Sequence, residues 1–161
     1  MKFYSGAGGL RHRLVLRSTR GKGTAVGTDA VRTDAVGTVV WPTLVYADAR
    51  AAVDFLVKAF GFVEKALYAD GDVVAHAQLD WPGGGGVMLG SPRADSSIAG
   101  LPPGVGSVYI VVDDADGLHD RAVAAGAVIT QGLRDEDYGS RGFTCRDPEG
   151  VFWSFGTYGG E

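Results

Sequence analysis

The sequence predicts an α+β fold made of two tandem βαβββ modules. Three observations carry this reading. The order strand, helix, three strands occurs twice between Val39 and Tyr158. The two copies match residue by residue at an offset of 66: Val45 with Val111, Asp48 with Asp114, Asp54 with Asp120, Val57 with Val123. The offset slips to 65 at Gly61 and Gly126 and returns to 66 at Gly90 and Gly156. Helix starts, helix stops and last strands therefore recur together, as a structural duplication requires and shared helix composition alone does not.

The first copy opens on VVWPTLVYAD, a strand ending at Asp48, whose short carboxylate suits an N-cap. ARAAVDFLVKAFG follows, with Ala52, Phe55, Leu56 and Ala59 on one helical stripe and Gly61 at the C′ stop. Three strands come next, Val63–Tyr68, Val73–Trp81 and Val87–Gly90; Asp70-Gly71 turns the first hairpin and Pro82–Gly86 the second. That glycine run lacks the Lys-Ser/Thr of a phosphate loop. SPRADSSIAGLPPG, residues 91–104, is a linker by composition. The second copy then runs through SVYIVVDD, the cap Asp114, ADGLHDRAVAAG with its stop at Gly126, Val128–Leu133, the loop DEDYGS, RGFTCR, the turn DPEG and VFWSFGTY. This divides residues 39–158 into module 1 (39–90), linker (91–104) and module 2 (105–158).

Residues 1–38 differ in kind. They are rich in Gly, Thr, Ala and Arg, allow a short strand at Arg13–Arg17, and otherwise read as a flexible basic extension. Seven bases against two acids give them +5, while eight bases against seventeen acids give the rest −9. A body of that sign does not suit nucleic acid, which needs clustered cations, and by steering favours cationic ligands. Cys145 is the single cysteine, so no intramolecular disulfide forms. No apolar run approaches the roughly 18 residues of a membrane span, and none of roughly 7–15 residues follows Arg11, Arg13 and Arg17 as a secretory signal requires. The cytoplasm is the compartment this reading expects.

The paired βαβββ modules, with Asp147-Pro148-Glu149-Gly150 before the last strand, resemble the vicinal oxygen chelate superfamily, which includes glyoxalase I, extradiol dioxygenases and bleomycin-resistance binding proteins. Pro148 presets the turn and Gly150 tolerates its reversal. The resemblance implies curved mixed sheets around a cavity. It also implies that metal-dependent members would carry His, Gln or carboxylate ligands on the first and last strand of each module. Here those positions fall on Trp41, Met88, Ser107 and Ser154, none of which offers an imidazole or carboxylate. No metal and no cofactor are expected, and the metal-free bleomycin-resistance type is the nearest match. A homodimer is implied in the same way.

Strand alternation then selects the lining. Trp41, Thr43, Val45, Ser107, Tyr109 and Val111 share one face of the first strands, and Phe152, Ser154 and Gly156 one face of the last. In the third strand Val74, His76, Gln78 and Asp80 oppose Ala75, Ala77 and Leu79. The ligand-binding candidates are Trp41, Thr43, His76, Gln78, Ser107, Tyr109, Arg141, Phe152 and Ser154. Each has a plainer alternative. Trp41 and Tyr109 can be packing residues. His76 is either an acid/base or ligand-orienting group or a hydrogen-bonded strand histidine. Arg141 meets either a ligand anion or Asp135, Glu136 or Asp137. Cys145 reads as a small core residue rather than a nucleophile. Two functions remain: a small-molecule binding protein taking a cationic or aromatic compound such as an antibiotic, or a lyase, isomerase or dioxygenase using His76 or a displaced metal.

Overall fold

The computed structural model describes residues 40–161. The readings made for residues 1–38, including the strand at Arg13–Arg17, lie outside the described residues. From Val40 onward the chain forms β1 (Thr43–Val45), α1 (Ala49–Phe60), β2 (Val63–Asp70), β3 (Val73–Asp80) and β4 (Gly86–Gly90). Then come β5 (Ser107–Val111), α2 (Ala115–Ala125), β6 (Val128–Asp135), β7 (Arg141–Arg146) and β8 (Phe152–Gly156). The strands build two open four-stranded mixed sheets, ordered β1-β4-β3-β2 and β5-β8-β7-β6. In each, the first strand runs parallel to the last and the remaining pairs are antiparallel. The tandem βαβββ architecture is therefore what the chain adopts.

The duplication extends to local chemistry. Asp48 caps α1 by accepting from Ala51 N at 3.0 Å, and Asp114 caps α2 by accepting from Gly117 N at 2.9 Å. Gly61 and Gly126 close the helices at φ +90° and +98°, a conformation that other residues adopt only with strain. β1 starts later than the sequence pattern suggests. Pro42 has no N–H to give to a ladder, and the strand begins at the next residue.

One core serves both modules. α1 buries Ala52, Leu56, Ala59 and Phe60 beneath the first sheet, while Trp153 and Phe155 of β8 are fully buried in the same cluster. Phe60 joins the halves, its ring centroid 5.3 Å from that of Trp153 and 4.9 Å from that of Phe155. Polar contacts reinforce the joint. Arg121 of α2 donates to the carbonyls of Ala59 and Phe60 at the end of α1, at 3.1 and 2.6 Å. Glu149 of the DPEG turn accepts from Ala47 N and Asp48 N at the start of α1, at 2.6 and 2.8 Å. A carboxylate at a helix start and a cation at a helix end both complement the helix dipole.

Asp147 anchors that turn. One of its carboxylate oxygens accepts from the backbone N–H groups of Glu149, Gly150 and Val151. The other accepts from Tyr46 Oη at 2.6 Å and Trp153 Nε1 at 3.0 Å. Tyr46 belongs to module 1 and Trp153 to module 2, so one buried carboxylate ties the two copies together. Burial, followed by the facing carboxylate, raises the Tyr46 phenol far above its ordinary range and keeps it a donor.

Candidate functional site

The helices cover one face of each sheet and leave the other open. On the module 1 sheet, Leu44, Ala77, Leu79, Val87 and Leu89 point to the core, whereas Thr43, His76, Gln78 and Met88 lie on the open face, half-buried or exposed. The alternation predicted for β3 fails at one place. Val74 is fully buried and Ala75 is exposed, because the pairing with β2 shifts register between Tyr68 and Ala69 and makes Ala75 an extra residue in the ladder. Past the bulge the predicted phase returns.

A cavity of about 370 Å³ sits on this open face. Thr43, His76 and Met88 form its floor, and the linker crosses above them with Arg93, Ser96, Ile98 and Leu101. The His76 ring stacks on Tyr68 with centroids 6.1 Å apart. Gln78 is engaged with a neighbour on its own strand, donating to Asp80 at 2.7 Å. Trp41 precedes β1 and is half-buried; a Cβ on Gly86 would lie 2.7 Å from its ring, so that glycine leaves the space the indole uses.

The open face of module 2 carries a second cavity, about 250 Å³, lined by Tyr109, Gln131, Glu136, Tyr138, Thr144 and Ser154 among others. The Thr144 and Ser154 hydroxyls are 3.0 Å apart. Tyr109 lies across β8 and donates to the Tyr158 carbonyl at 3.0 Å, a path that Gly156 permits because a Cβ there would meet the phenol oxygen at 2.6 Å. Tyr138 packs edge-on against Tyr158, centroids 5.5 Å apart. Glu136 is held by Arg134 at 2.5 Å.

Of the nine candidates, Thr43 and His76 line the first cavity, and Tyr109 and Ser154 the second. Ser107 is exposed at the start of β5, and Phe152 is exposed with the Arg146 guanidinium 5.7 Å from its ring centre. Arg141 is committed elsewhere. It forks onto both carboxylate oxygens of Asp116 at 2.7 and 2.8 Å and reaches Asp135 at 3.2 Å. Asp135 was among the expected partners; Asp116, on α2, was not. The guanidinium holds the Asp116 carboxyl below its ordinary range, and the two carboxylates raise Arg141 in turn.

Register also places the residues beside Met88 and Ser154. They are Thr43 and Tyr109 on the first strands, two positions on from Trp41 and Ser107 and on the same face. Threonine, methionine, tyrosine and serine do not make a site for a divalent transition metal. Among the described residues no three of His, Cys, Asp and Glu come together as ligands. Cys145 is fully buried, and burial together with Asp147 pushes its thiol up to about 12. Native protein at pH 8 is therefore expected to resist iodoacetamide and to label stoichiometrically only after unfolding, as read by intact mass.

The linker's part in the first cavity escaped the sequence reading. Its only signal was the presence of Arg93, Ile98 and Leu101 in a stretch otherwise small and polar.

Two open mixed sheets backed by helices, each with a cavity on its free face, define a paired-βαβββ protein. Residues 38–155 match the model of the glyoxalase/bleomycin resistance protein/dioxygenase superfamily, and the chain belongs to that superfamily. It is 36% identical over 126 residues to an uncharacterised protein of Mycobacterium tuberculosis strain H37Rv, covering 71% of each chain. Its structure resembles that of TioX from Micromonospora sp. ML1, with 38% identity, a TM-score of 0.64, and coverage of 74% of this chain and 98% of the other. A superfamily protein from Nocardioides shares the fold at 21% identity and a TM-score of 0.57, over 81% of this chain and 90% of the other. No helix among the described residues is long and apolar enough to cross a membrane.

Proposed function

We propose that the protein binds and sequesters a small aromatic or cationic compound, such as an antibiotic, without a metal, as the bleomycin-resistance branch of its superfamily does by resemblance. The observation that carries this reading is the set Thr43, Met88, Tyr109 and Ser154. These neutral, apolar and aromatic groups pair across the first and last strands of each module, and neither they nor Trp41 and Ser107 offer the imidazole or carboxylate that the resemblance implies for metal-dependent members on those strands. Such a lining holds a ligand by stacking, apolar burial and hydroxyl contacts, the usual economy of a small-molecule pocket.

A homodimer belongs to the same proposal. β1, β2, β5 and β6 are sheet edges, and Tyr68, Tyr109, Val111 and Phe152 stay exposed on a single chain. A second copy would cover edges and enclose the open faces. The net charge of the body favours the approach of cationic compounds, and the cytoplasm is the compartment proposed.

Thermal-shift measurements with aromatic and cationic antibiotics, each with and without EDTA, test the reading. A ligand that binds only the native state raises the melting temperature in proportion to its saturation. Stabilisation unchanged by EDTA is expected; loss of stability in EDTA with turnover of a hemithioacetal or catechol would replace this reading with an enzymatic one. For a ligand so found, Tyr109→Ala is expected to weaken binding by roughly 0.5–2 kcal/mol, measured by calorimetry. An unchanged affinity would remove Tyr109 from the site.

A further inference from the structure

Within a body carrying −9, the module 1 cavity has the opposite chemistry. Its described lining contains Arg93 and His76 and no acidic side chain. Arg93 is about one-third exposed and makes a single ion pair, Nε to Asp95 at 3.2 Å, with a carboxylate that is itself four-fifths exposed. Its two terminal nitrogens make no bond among the described residues. The planar fork is thus free to take both oxygens of a carboxylate. Around it the cavity offers Met88, Ile98 and Leu101 as apolar surface. A polarizable thioether and two branched aliphatics suit the face of a flat ring. By contrast, the module 2 cavity pairs its own cation and acid internally through Arg134 and Glu136.

We infer that the module 1 cavity is an aromatic-acid subsite: Arg93 of the linker takes the carboxylate of the ligand, and Met88, Ile98 and Leu101 hold its ring system. This rests on the small-molecule reading and deepens it. Net charge governs how ligands approach from a distance, but the groups at contact decide which end is held and where.

The test uses the full chain and three bicyclic probes of one shape and different charge: 2-naphthoate, 2-naphthylmethanol and 2-naphthylmethylammonium, titrated by calorimetry at low salt. The expected order places 2-naphthoate about tenfold tighter than the alcohol, the usual gain from a partly exposed charge-assisted pair. Arg93→Ala is expected to bring 2-naphthoate down to the alcohol's affinity while leaving the alcohol unchanged. Arg93→Lys retains part of the difference. Asp95→Asn, which frees the guanidinium without touching the cavity, is expected to hold or raise 2-naphthoate affinity. Equal affinities for acid and alcohol, an Arg93→Ala variant that binds 2-naphthoate like the wild type, or tighter binding of the ammonium would overturn the acid assignment and leave small-molecule binding standing. Failure of all three probes to bind at millimolar concentration would overturn both.

Discussion

Replacing Asp147 with alanine is expected to destabilise the protein by about 3–5 kcal/mol, read as a lower midpoint of urea unfolding. The carboxylate is 4% exposed and satisfies five donors: Tyr46 Oη, Trp153 Nε1 and three backbone N–H groups. Each buried donor left without a partner costs about 1–3 kcal/mol, and partial relaxation keeps the total below the simple sum. Asparagine is not a neutral replacement. With its oxygen kept toward the backbone, its NH2 faces the Trp153 N–H, donor against donor. Asp147→Asn should therefore recover only part of the loss. Tyr46→Phe removes a single bond and is expected to cost about 1–2 kcal/mol. An Asp147→Ala protein within about 1 kcal/mol of the wild type would show that the turn is held by its neighbours and not by this carboxylate.

The second large effect belongs to Phe60. Its side chain is completely buried and meets Phe55 of its own helix together with Trp153 and Phe155 of the other module. Phe60→Ala is expected to cost about 3–5 kcal/mol through lost burial and the cavity left behind. The site lies between modules, so collapse would require α1 to move against β8. That motion is opposed by Arg121, which is bonded to the Phe60 and Ala59 carbonyls. Tyr68→Ala, on the open face of the module 1 sheet and largely exposed, provides the contrast: its loss should stay within about 1 kcal/mol. Comparable losses at the two positions would contradict a single core shared by the modules.

The features legible in the sequence are those written in local chemistry. Asp48 and Asp114 as caps, Gly61 and Gly126 as stops, and the DPEG turn each act within a few residues, so their spacing exposes the repeat without coordinates. Strand alternation also sorted Trp153 and Phe155 to the core and Ser154 to the open face. What escaped depends on pairing between distant segments. The bulge at Ala75 comes from how β2 meets β3, and alternation along one strand cannot reveal it. Arg141 finds Asp116 because α2 starts beside β7, 25 residues away in sequence. Glu149 reaches the start of α1 across more than one hundred residues. The linker gave no periodic signal, yet it supplies the wall and the cation of the module 1 cavity. Function is the least local of these properties. Eight of the nine candidate side chains lie on two sheets, with Trp41 just before β1, and within one chain Thr43 and His76 line one cavity while Tyr109 and Ser154 line another.

Methionine supplies the most direct test of metal-independent binding on the open faces. The chain has two methionines, Met1 and Met88, and Met88 sits on the floor of the module 1 cavity. With both ε-methyl groups labelled with carbon-13, 2-naphthoate is titrated while the two resonances are followed, once as purified and once in EDTA. A saturable shift of the Met88 methyl that is the same in both conditions is expected. A Met88 resonance that stays in place through millimolar ligand, or a shift abolished by EDTA, would contradict it.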